Sequence, residues 1–294
     1  MMRLLITGSN GLLGQKIVKQ CLANGIDFIA TSKGDNRNPD CPNDRFLSMD
    51  ISNMLDIKRV FEFYYPTHVI HTAAITNVDY CEDHKDECLN VNVEATNYLV
   101  QVSNTYKAHL QFLSTDFVFD GEKGNYSEED EVSPLSVYAK SKVDGEAIVK
   151  SKTENWSIVR TIIVYGEGNN LSRSNIVLWA REALQSGKEL SIVDDQFRAP
   201  TWADDLAWGC LAIVLKDKQG IFHLSGPETM SIIDLVYRVA DYYKLPKEQI
   251  KSSKSDTLNQ AAKRPPKTGF NLSKARKELG YDPMKLEETL GLLS

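Results

Sequence analysis

The sequence has no tract of basic residues, no closely paired cysteines and no long apolar run near its beginning. Its five cysteines are odd in number and none forms a Cys-x-x-Cys pair, so neither a disulfide framework nor a zinc site is expected. The longest early apolar run, residues 4–6, is too short for a signal peptide or a membrane span. With a formal net charge of −6, nucleic acid and anionic membranes are poor partners. We therefore expect a cytoplasmic protein.

Strand and helix signals alternate through the first half of the chain. Helices with apolar faces are predicted between short apolar strands, and repeated βα units of this length favour an α/β fold. The expected architecture is a Rossmann-type, doubly wound parallel sheet with helices on both faces. The predicted strands are 3–7, 28–31, 46–49, 68–72, 110–114 and 157–161, and the predicted helices are 11–23, 54–64, 88–106 and 137–150.

The alternation loosens after residue 162, where polar loops and a polar stretch at 251–267 interrupt it. Further elements are predicted at 204–215, 221–224 and 232–243. We therefore predict a dinucleotide-binding domain at 1–162, which carries the helix 137–150, and a smaller substrate-binding lobe at 163–294, interleaved with the first. Because ligands of doubly wound sheets lie beyond the carboxyl ends of the strands, the site is expected between the lobes.

A glycine-rich segment, residues 7–14, joins the first strand to the first helix. Its glycines are spaced G-x-x-G-x-x-G: Gly8 would allow a tight turn, Gly11 the approach of a pyrophosphate to the backbone, and Gly14 close packing of the helix. The start of the helix would add free N–H groups and a partial positive charge. The candidate cofactor contacts here are Gly8, Asn10, Gly11, Leu12, Leu13 and Gly14. The alternative is a glycine-rich turn that binds nothing.

The end of the second strand is where a dinucleotide-binding protein usually selects its cofactor. An acid there favours NAD, whereas a basic residue accommodates the 2′-phosphate of NADP. Here Ser32 and Lys33 follow the strand and no acid occurs before Asp35, so NADPH is favoured and NADH stays open. Alternatively, Lys33 is a solvated loop lysine. Asp50 would contact the adenine, or would cap the helix that follows it.

Tyr138 and Lys142 are spaced i and i+4 in a predicted helix and therefore share one face. A tyrosine is a poor acid at neutral pH, and a neighbouring ammonium lowers its pKa, so the pair would donate a proton to a carbonyl reduced by hydride. Lys140 lies out of phase and is expected in solvent. Thr115, at the end of the fifth strand, would hold the substrate oxygen. The alternatives are a solvated helix face and an ordinary polar strand end.

Several motifs resemble those of the extended short-chain dehydrogenase/reductases, and specifically the dTDP-4-dehydrorhamnose reductase group. The most specific is Ser-Thr-Asp-Phe-Val-Phe-Asp-Gly at 114–121; the others are the glycine loop, the segments 73–79, 195–201 and 272–280, the Tyr138/Lys142 pair and Arg264 with the proline that follows it. The resemblance implies that Thr115, Tyr138 and Lys142 are catalytic. It implies cofactor contacts for Gly11, Leu12, Leu13, Asp50, Ile51, Ala73, Ala74 and Ile75, and substrate contacts for Asn77, Thr115, Asp116, Ile163, Arg198 and Arg264.

The sequence departs from this family at positions near the expected sugar. Phe117 stands where a tyrosine is common, Ile163 where rhamnose-forming members often have tryptophan, and Arg198 where glycine is frequent. Lys16 replaces a carboxylate that some magnesium-bridged dimers of the family carry, so no metal is expected. These changes leave the reductase class in place but put the sugar in doubt.

The resulting expectation is an NADPH-dependent reductase of a nucleotide-linked 4-keto-6-deoxy sugar, foremost dTDP-4-dehydro-L-rhamnose. Its diphosphate would be held by Arg173, Arg198 and Arg264, with Arg198 as the main contact. The alternative is that these are surface or lobe-bridging arginines. One alternative is an epimerase or dehydratase of nucleotide sugars on the same scaffold. Another is a non-catalytic subunit, since the resemblance includes the regulatory subunit of methionine adenosyltransferase. A homodimer is compatible with the family.

Overall fold

The computed structural model describes residues 2–257 and 260–293. The strands are β1 (Leu4–Thr7), β2 (Phe28–Ser32), β3 (Phe46–Ser48), β4 (His68–His71), β5 (His109–Thr115), β6 (Trp156–Thr161), β7 (Val164–Tyr165), β8 (Leu190–Val193), β9 (Phe197–Arg198), β10 (Thr201–Trp202), β11 (Gly220–His223), β12 (Met230–Ser231) and β13 (Ile250–Ser253). The helices are α1 (Leu12–Ala23), α2 (Met54–Tyr64), α3 (Val78–Asp83), α4 (Lys85–Leu89), α5 (Ala95–Tyr106), α6 (Val137–Lys152), α7 (Ile176–Gln185), α8 (Ala203–Leu215), α9 (Ile232–Tyr242), α10 (Ser273–Leu279) and α11 (Leu286–Leu290).

A seven-stranded sheet runs through the molecule in the order β11-β6-β5-β4-β1-β2-β3, and every pairing in it is parallel. All residues of β1 and β5 are buried, as expected of strands covered on both faces. One face packs on α1 and α8 through residues such as Ile17 and Leu206. The other packs on α2, α5 and α6 through residues such as Phe61 and Leu99. The predicted doubly wound α/β fold is confirmed.

The strand order reverses between β1 and β4, which pair along their whole length with Thr7 opposite His71. The chain winds outward from this point in both directions, so the loops after β1 and β4 diverge and leave a crevice at the carboxyl edge. The glycine loop follows β1, and the segment 73–75 follows β4. The topology therefore places both sets of candidate cofactor residues at this crevice.

Residues beyond 162 form a second lobe and also contribute to the first. The small sheets β8/β13 and β7/β10 pack with α7, α9 and α11 around two further apolar cores, and β9/β12 forms a third small sheet. In contrast, β11 pairs with β6 as an edge strand of the main sheet, and α8 packs beside α1 on its face. The chain therefore crosses back into the N-terminal sheet after it has begun the second lobe.

Most predicted elements begin and end within two residues of their observed bounds, and the exceptions are informative. The predicted helix 88–106 is interrupted by a π-helical turn, Asn90–Glu94, between α4 and α5. The sequence analysis missed α7 and α10, and the stretch 251–267 was interpreted as polar and irregular although its start belongs to β13. In the described part of the chain, no helix is long and apolar enough to cross a lipid bilayer.

Candidate active site

The glycine loop makes a turn that side chains would obstruct. Gly8 has a φ of 69°, and a Cβ atom there would lie 2.7 Å from the backbone nitrogen of Ala73. A Cβ atom on Gly14 would lie 2.5 Å from the carbonyl oxygen of Gly8. Both positions therefore need glycine, because the loop folds tightly between the start of α1 and the end of β4.

The first turn of α1 faces this crevice without a side-chain cap. Gly11 occupies the N-cap position in an extended conformation, and no acidic residue lies in the first turn. The N–H groups of Leu12 and Leu13 lie in this first turn, where an α-helix leaves N–H groups without intrahelical partners. These features fit the pyrophosphate of a dinucleotide, because the helix dipole adds positive potential at the same place.

The ends of β2 and β3 form the side of the crevice where the sequence analysis predicts the adenosine. Lys33 Nζ lies 2.8 Å from Asp50 Oδ2, and Asp50 Oδ1 accepts a hydrogen bond of 2.6 Å from Ser52 Oγ. The helix α2 is capped by Asn53 rather than by Asp50, so the capping alternative for Asp50 is wrong. The side chain of Lys33 is 80% exposed to solvent and forms an ion pair with Asp50, the acid expected to contact the adenine.

Asn10 organises the loop after β2. Its amide nitrogen donates to the carbonyl of Asp35 at 2.9 Å, and its amide oxygen accepts from the backbone N–H of Arg37 at 2.9 Å. The side chain of Ser32 lies 3.4 Å from the backbone nitrogen of Asn10. The cofactor role predicted for Asn10 therefore includes holding this loop in place.

Asn92, in the π-helical turn, was not singled out by the sequence analysis. Its amide oxygen accepts from the backbone N–H of Ile75 at 2.9 Å, and its amide nitrogen donates to the carbonyl of Ile75 and to Ser141 Oγ, each at 3.0 Å. It thus ties the 73–75 segment, which includes Ala73 and Ala74, to α6. The extra residue of a π-turn places a polar side chain where a regular helix would not, and such turns are frequent at functional sites.

Two of the three predicted catalytic residues, Thr115 and Tyr138, interact at the carboxyl end of β5. The third, Lys142, lies over the ring of Phe112 on the same strand, with Nζ 4.0 Å from the ring centroid. Tyr138 and Lys142 face inward from α6 and are 8% and 4% exposed, whereas Lys140 on the same helix is exposed. The predicted helix phase is therefore correct. Ser136 caps this helix by accepting from the backbone N–H of Ala139 at 3.2 Å.

Burial dominates the acid–base properties of this group. It raises the pKa of the Tyr138 phenol, and a hydrogen bond from Thr115 opposes part of the rise. It lowers the pKa of the Lys142 ammonium to about 7, against the opposing charge of Glu146. The sequence analysis predicted that Lys142 lowers the pKa of Tyr138. The structure instead gives a Tyr138 pKa that burial raises above its ordinary value. Tyr138 is protonated at neutral pH, as a proton donor must be.

Asp116 is a buried carboxylate shared by the two lobes. Thr115 Oγ1 donates to its Oδ1 at 3.0 Å, Thr268 donates to its Oδ2, and Arg198 Nε lies 3.6 Å from Oδ2. Burial raises the pKa of Asp116, while Arg198 opposes the rise. Thr268 is a second residue that the sequence analysis missed, since it lies far along the chain from Asp116.

Arg198 has other partners than those the sequence predicted. It is 1% exposed and donates to the carbonyl groups of Phe197, Pro265 and Pro266 at 2.6 to 3.2 Å. A guanidinium already bonded to three carbonyls and paired with Asp116 is not open to a diphosphate. The prediction that Arg198 is the main diphosphate contact is therefore corrected: in this structure its partners are backbone carbonyls and Asp116.

The other two arginines lie at the mouth of the site, around the start of α3. Arg264 pairs with Asp79 at 2.7 Å, and Arg173, which is exposed, donates to Thr76 Oγ1 at 2.5 Å. Asn77 caps α3 by accepting from the backbone N–H of Tyr80. Asn77, Arg173 and Arg264 are therefore brought together.

Ile163 is strained and lies between the lobes. Its φ is 28°, a conformation that β-branched residues rarely adopt, and its side chain packs against both the main core and the core around α7. Thr201 donates its backbone N–H to the carbonyl of Ile163 at 3.0 Å. Strain of this kind persists where the surroundings fix the backbone, often at functional sites.

Lys16 occupies the position where some dimers of the family carry a carboxylate. Its ammonium pairs with the carboxylate of Asp204, in α8, at 3.1 Å. Within residues 2–257 and 260–293, no group of three or more histidine, cysteine or acidic side chains is arranged to hold a metal ion.

Comparison with known proteins identifies the family and supports the fold. The family described as "RmlD substrate binding domain" matches residues 2–293. The dTDP-4-dehydrorhamnose reductase of Aggregatibacter actinomycetemcomitans is 30% identical over 99% of this chain and 97% of its own. Methionine adenosyltransferase 2 subunit beta of Danio rerio is 30% identical over 90% of this chain and 80% of its own. The crystal structure of dTDP-4-dehydrorhamnose reductase from Bacillus anthracis in complex with NADP has a TM-score of 0.86, with 26% identity and coverage of 100% and 99%.

Proposed function

The chain belongs to the RmlD substrate binding domain family, among whose relatives are NAD(P)-dependent oxidoreductases, and from that premise we propose that it reduces a nucleotide-linked 4-keto-6-deoxy sugar. The proposed electron donor is NADPH, and the foremost substrate is dTDP-4-dehydro-L-rhamnose, which would become dTDP-L-rhamnose. The observation that carries the proposal is the buried group of Thr115, Tyr138 and Lys142 beside the glycine loop.

The residues present fit a dinucleotide. The turn at Gly8 and Gly14 has no room for side chains, and the uncapped start of α1 suits a pyrophosphate. Lys33 and Ser32 would lie towards the 2′-phosphate, and Asp50 and Ile51 towards the adenine. When bound, NADPH supplies the hydride for the keto carbon.

The chain's own residues manage the proton and the orientation of the sugar. Tyr138 donates its phenolic proton to the keto oxygen as that oxygen gains negative charge. Lys142, when charged, stabilises the phenolate that remains. Thr115 orients the keto oxygen by a hydrogen bond. Because all three side chains are buried, these interactions act in a medium that strengthens them.

We assign the nucleotide diphosphate to Arg173 and Arg264, which lie at the mouth of the site. Arg173 is exposed and Arg264 is partly exposed, so both can present N–H groups to phosphate oxygens. In this proposal Asn77, Asp116 and Ile163 would contact the sugar. In this assignment the segment 163–294 supplies most of the substrate lobe.

The test is oxidation of NADPH by the purified chain with a panel of dTDP-, GDP- and UDP-linked 4-keto-6-deoxy sugars. We expect turnover with the dTDP-linked sugar and a product reduced by two hydrogens in the mass spectrum. Lys140→Met should behave as the wild type, because its side chain is exposed on the far side of α6. Absence of oxidation with every sugar would refute the proposal.

A second function is favoured by the similarity to methionine adenosyltransferase 2 subunit beta: a nucleotide-binding subunit that regulates a methionine adenosyltransferase. The intact Thr115, Tyr138 and Lys142 set supports the reductase. The two differ in a direct assay: a regulatory subunit would bind NADPH without turning over any keto sugar and would change the rate of S-adenosylmethionine synthesis when added to the synthetase.

A further inference from the structure

The carboxylate of Asp116 is contacted by a different lobe at each oxygen. From the first lobe, Thr115 donates to Oδ1 at 3.0 Å. From the second lobe, Thr268 donates to Oδ2 and the Nε of Arg198 lies 3.6 Å from the same atom. Asp116 is almost inaccessible to solvent, so these neighbours decide how much negative charge Oδ1 presents to Thr115.

Thr115 has only one hydroxyl proton, for which the carboxylate of Asp116 at 3.0 Å and the phenol oxygen of Tyr138 compete. The backbone N–H of Phe117 donates to the same hydroxyl oxygen at 3.2 Å. When it is paired with Asp116, Thr115 donates to the carboxylate and accepts from Phe117. To donate to a keto oxygen, the hydroxyl must first release Oδ1, and a fully charged carboxylate holds such a proton more strongly than a neutralised one.

Arg198 is fixed in the position that neutralises Asp116. Three backbone carbonyls, those of Phe197, Pro265 and Pro266, hold its guanidinium, and its Cζ lies 5.4 Å from the ring centroid of Phe117. The backbone carbonyls leave it no freedom to turn away. The family-typical residue at this position, glycine, could not supply the charge.

Building on the keto reduction proposed above, we propose that Arg198 is a positioning residue: by neutralising Asp116 it makes the hydroxyl proton of Thr115 available to the keto oxygen of the substrate. The charged and titratable groups that face Asp116 are Arg198 from β9 and Tyr138 from α6. Arg264 acts on Arg198 from the second lobe.

The main variant is Arg198→Met, which removes the charge and keeps an apolar stem. The Asp116 carboxylate would then keep the Thr115 proton unless it takes up a proton itself. We expect the ratio of variant to wild-type kcat to fall about tenfold per pH unit above the new pKa of Asp116, with an unchanged KM for NADPH. Adding Asp116→Asn should abolish this pH dependence, because a neutral amide can bond both threonines at every pH.

Two further variants separate charge from folding. Arg198→Lys keeps the charge but loses the hydrogen bonds to the proline carbonyls, so it should lower stability without creating the new pH dependence. Arg238→Met breaks an ion pair with Glu287 in the same lobe, away from the site, and should leave the kcat profile unchanged. A wild-type pH profile of kcat in folded Arg198→Met would overturn the proposal. The same pH dependence of kcat in Arg198→Met with and without Asp116→Asn would also overturn it.

Unfolding measurements give a readout that does not depend on the reaction. Without its cation, buried Asp116 has a folded pKa further above its unfolded value, so Arg198→Met should lose stability as the pH rises through that folded pKa. The double variant should lack this loss. If the wild type reduces no sugar, the proposed function fails; equal pH dependence of unfolding in the single and double variants would instead refute the neutralisation of Asp116 by Arg198.

Discussion

Lys142→Met should make the protein more stable at neutral and acidic pH, although it removes a group that we propose to be catalytic. Burial lowers the pKa of Lys142 to about 7, whereas a lysine in an unfolded chain has a pKa of about 10.4. Because the folded pKa is the lower one, the unfolded state binds more protons between these values. The wild type therefore gains stability as the pH rises from about 7 towards 10.4.

The size of the effect follows from the shift. At about 1.4 kcal/mol per pKa unit, the difference in unfolding free energy between Lys142→Met and the wild type should shrink by about 4 kcal/mol from pH 6 to pH 10. The ammonium lies 4.0 Å from the ring centroid of Phe112, and methionine fills the same space without a charge.

The assay is urea unfolding of both proteins, free of cofactor, at pH 6, 8 and 10. Lys140→Met is the matched control, since it changes the same residue type on the same helix at an exposed position. It should show the pH dependence of the wild type. If the unfolding curves of Lys142→Met and the wild type kept a constant separation across this range, the burial argument for Lys142 would be wrong.

Further predictions concern the reaction. Tyr138→Phe should lower kcat by about 10²–10⁴-fold with nearly unchanged NADPH affinity; a wild-type rate in a chemistry-limited assay would refute its role. NADPH should bind more tightly than NADH, and Lys33→Glu should reduce the difference between the two affinities. Equal affinities of the wild type for NADPH and NADH would refute the predicted preference. dTDP-glucose with oxidised cofactor should give no 4-keto product, because Phe117 follows Asp116 where related dehydratases carry a second carboxylate. Arg173→Ala should raise the KM for the nucleotide sugar more than that for NADPH, and equal changes would count against a diphosphate contact.

The parts of the site predictable from sequence are those that local rules determine. The glycine loop is recognisable because a strand, a tight turn and a helix follow one another within about ten residues. The i, i+4 spacing of Tyr138 and Lys142 gives their common face, and the exposure of Lys140 agrees with it. No partner from elsewhere in the chain is needed for these predictions.

The parts that were missed depend on contacts between distant segments. Asn92 reaches Ile75 only because a π-turn interrupts a segment whose apolar spacing predicts one continuous helix. Arg198 was predicted to contact a diphosphate, but it lies among the carbonyls of Pro265 and Pro266 and the carboxylate of Asp116. A pattern along the sequence cannot reveal which carbonyl groups will face a guanidinium after folding.

The edge strand β11 also affects how the protein is made. During synthesis, β6 leaves the ribosome roughly sixty residues before β11, which at roughly 5–20 residues per second corresponds to several seconds. Throughout that interval the outer edge of β6 has no partner strand in this chain. An unpaired strand edge can pair with strands of other chains. A nascent chain in which β6 but not β11 has emerged from the ribosome should therefore aggregate through β6, whereas one in which both strands have emerged should not.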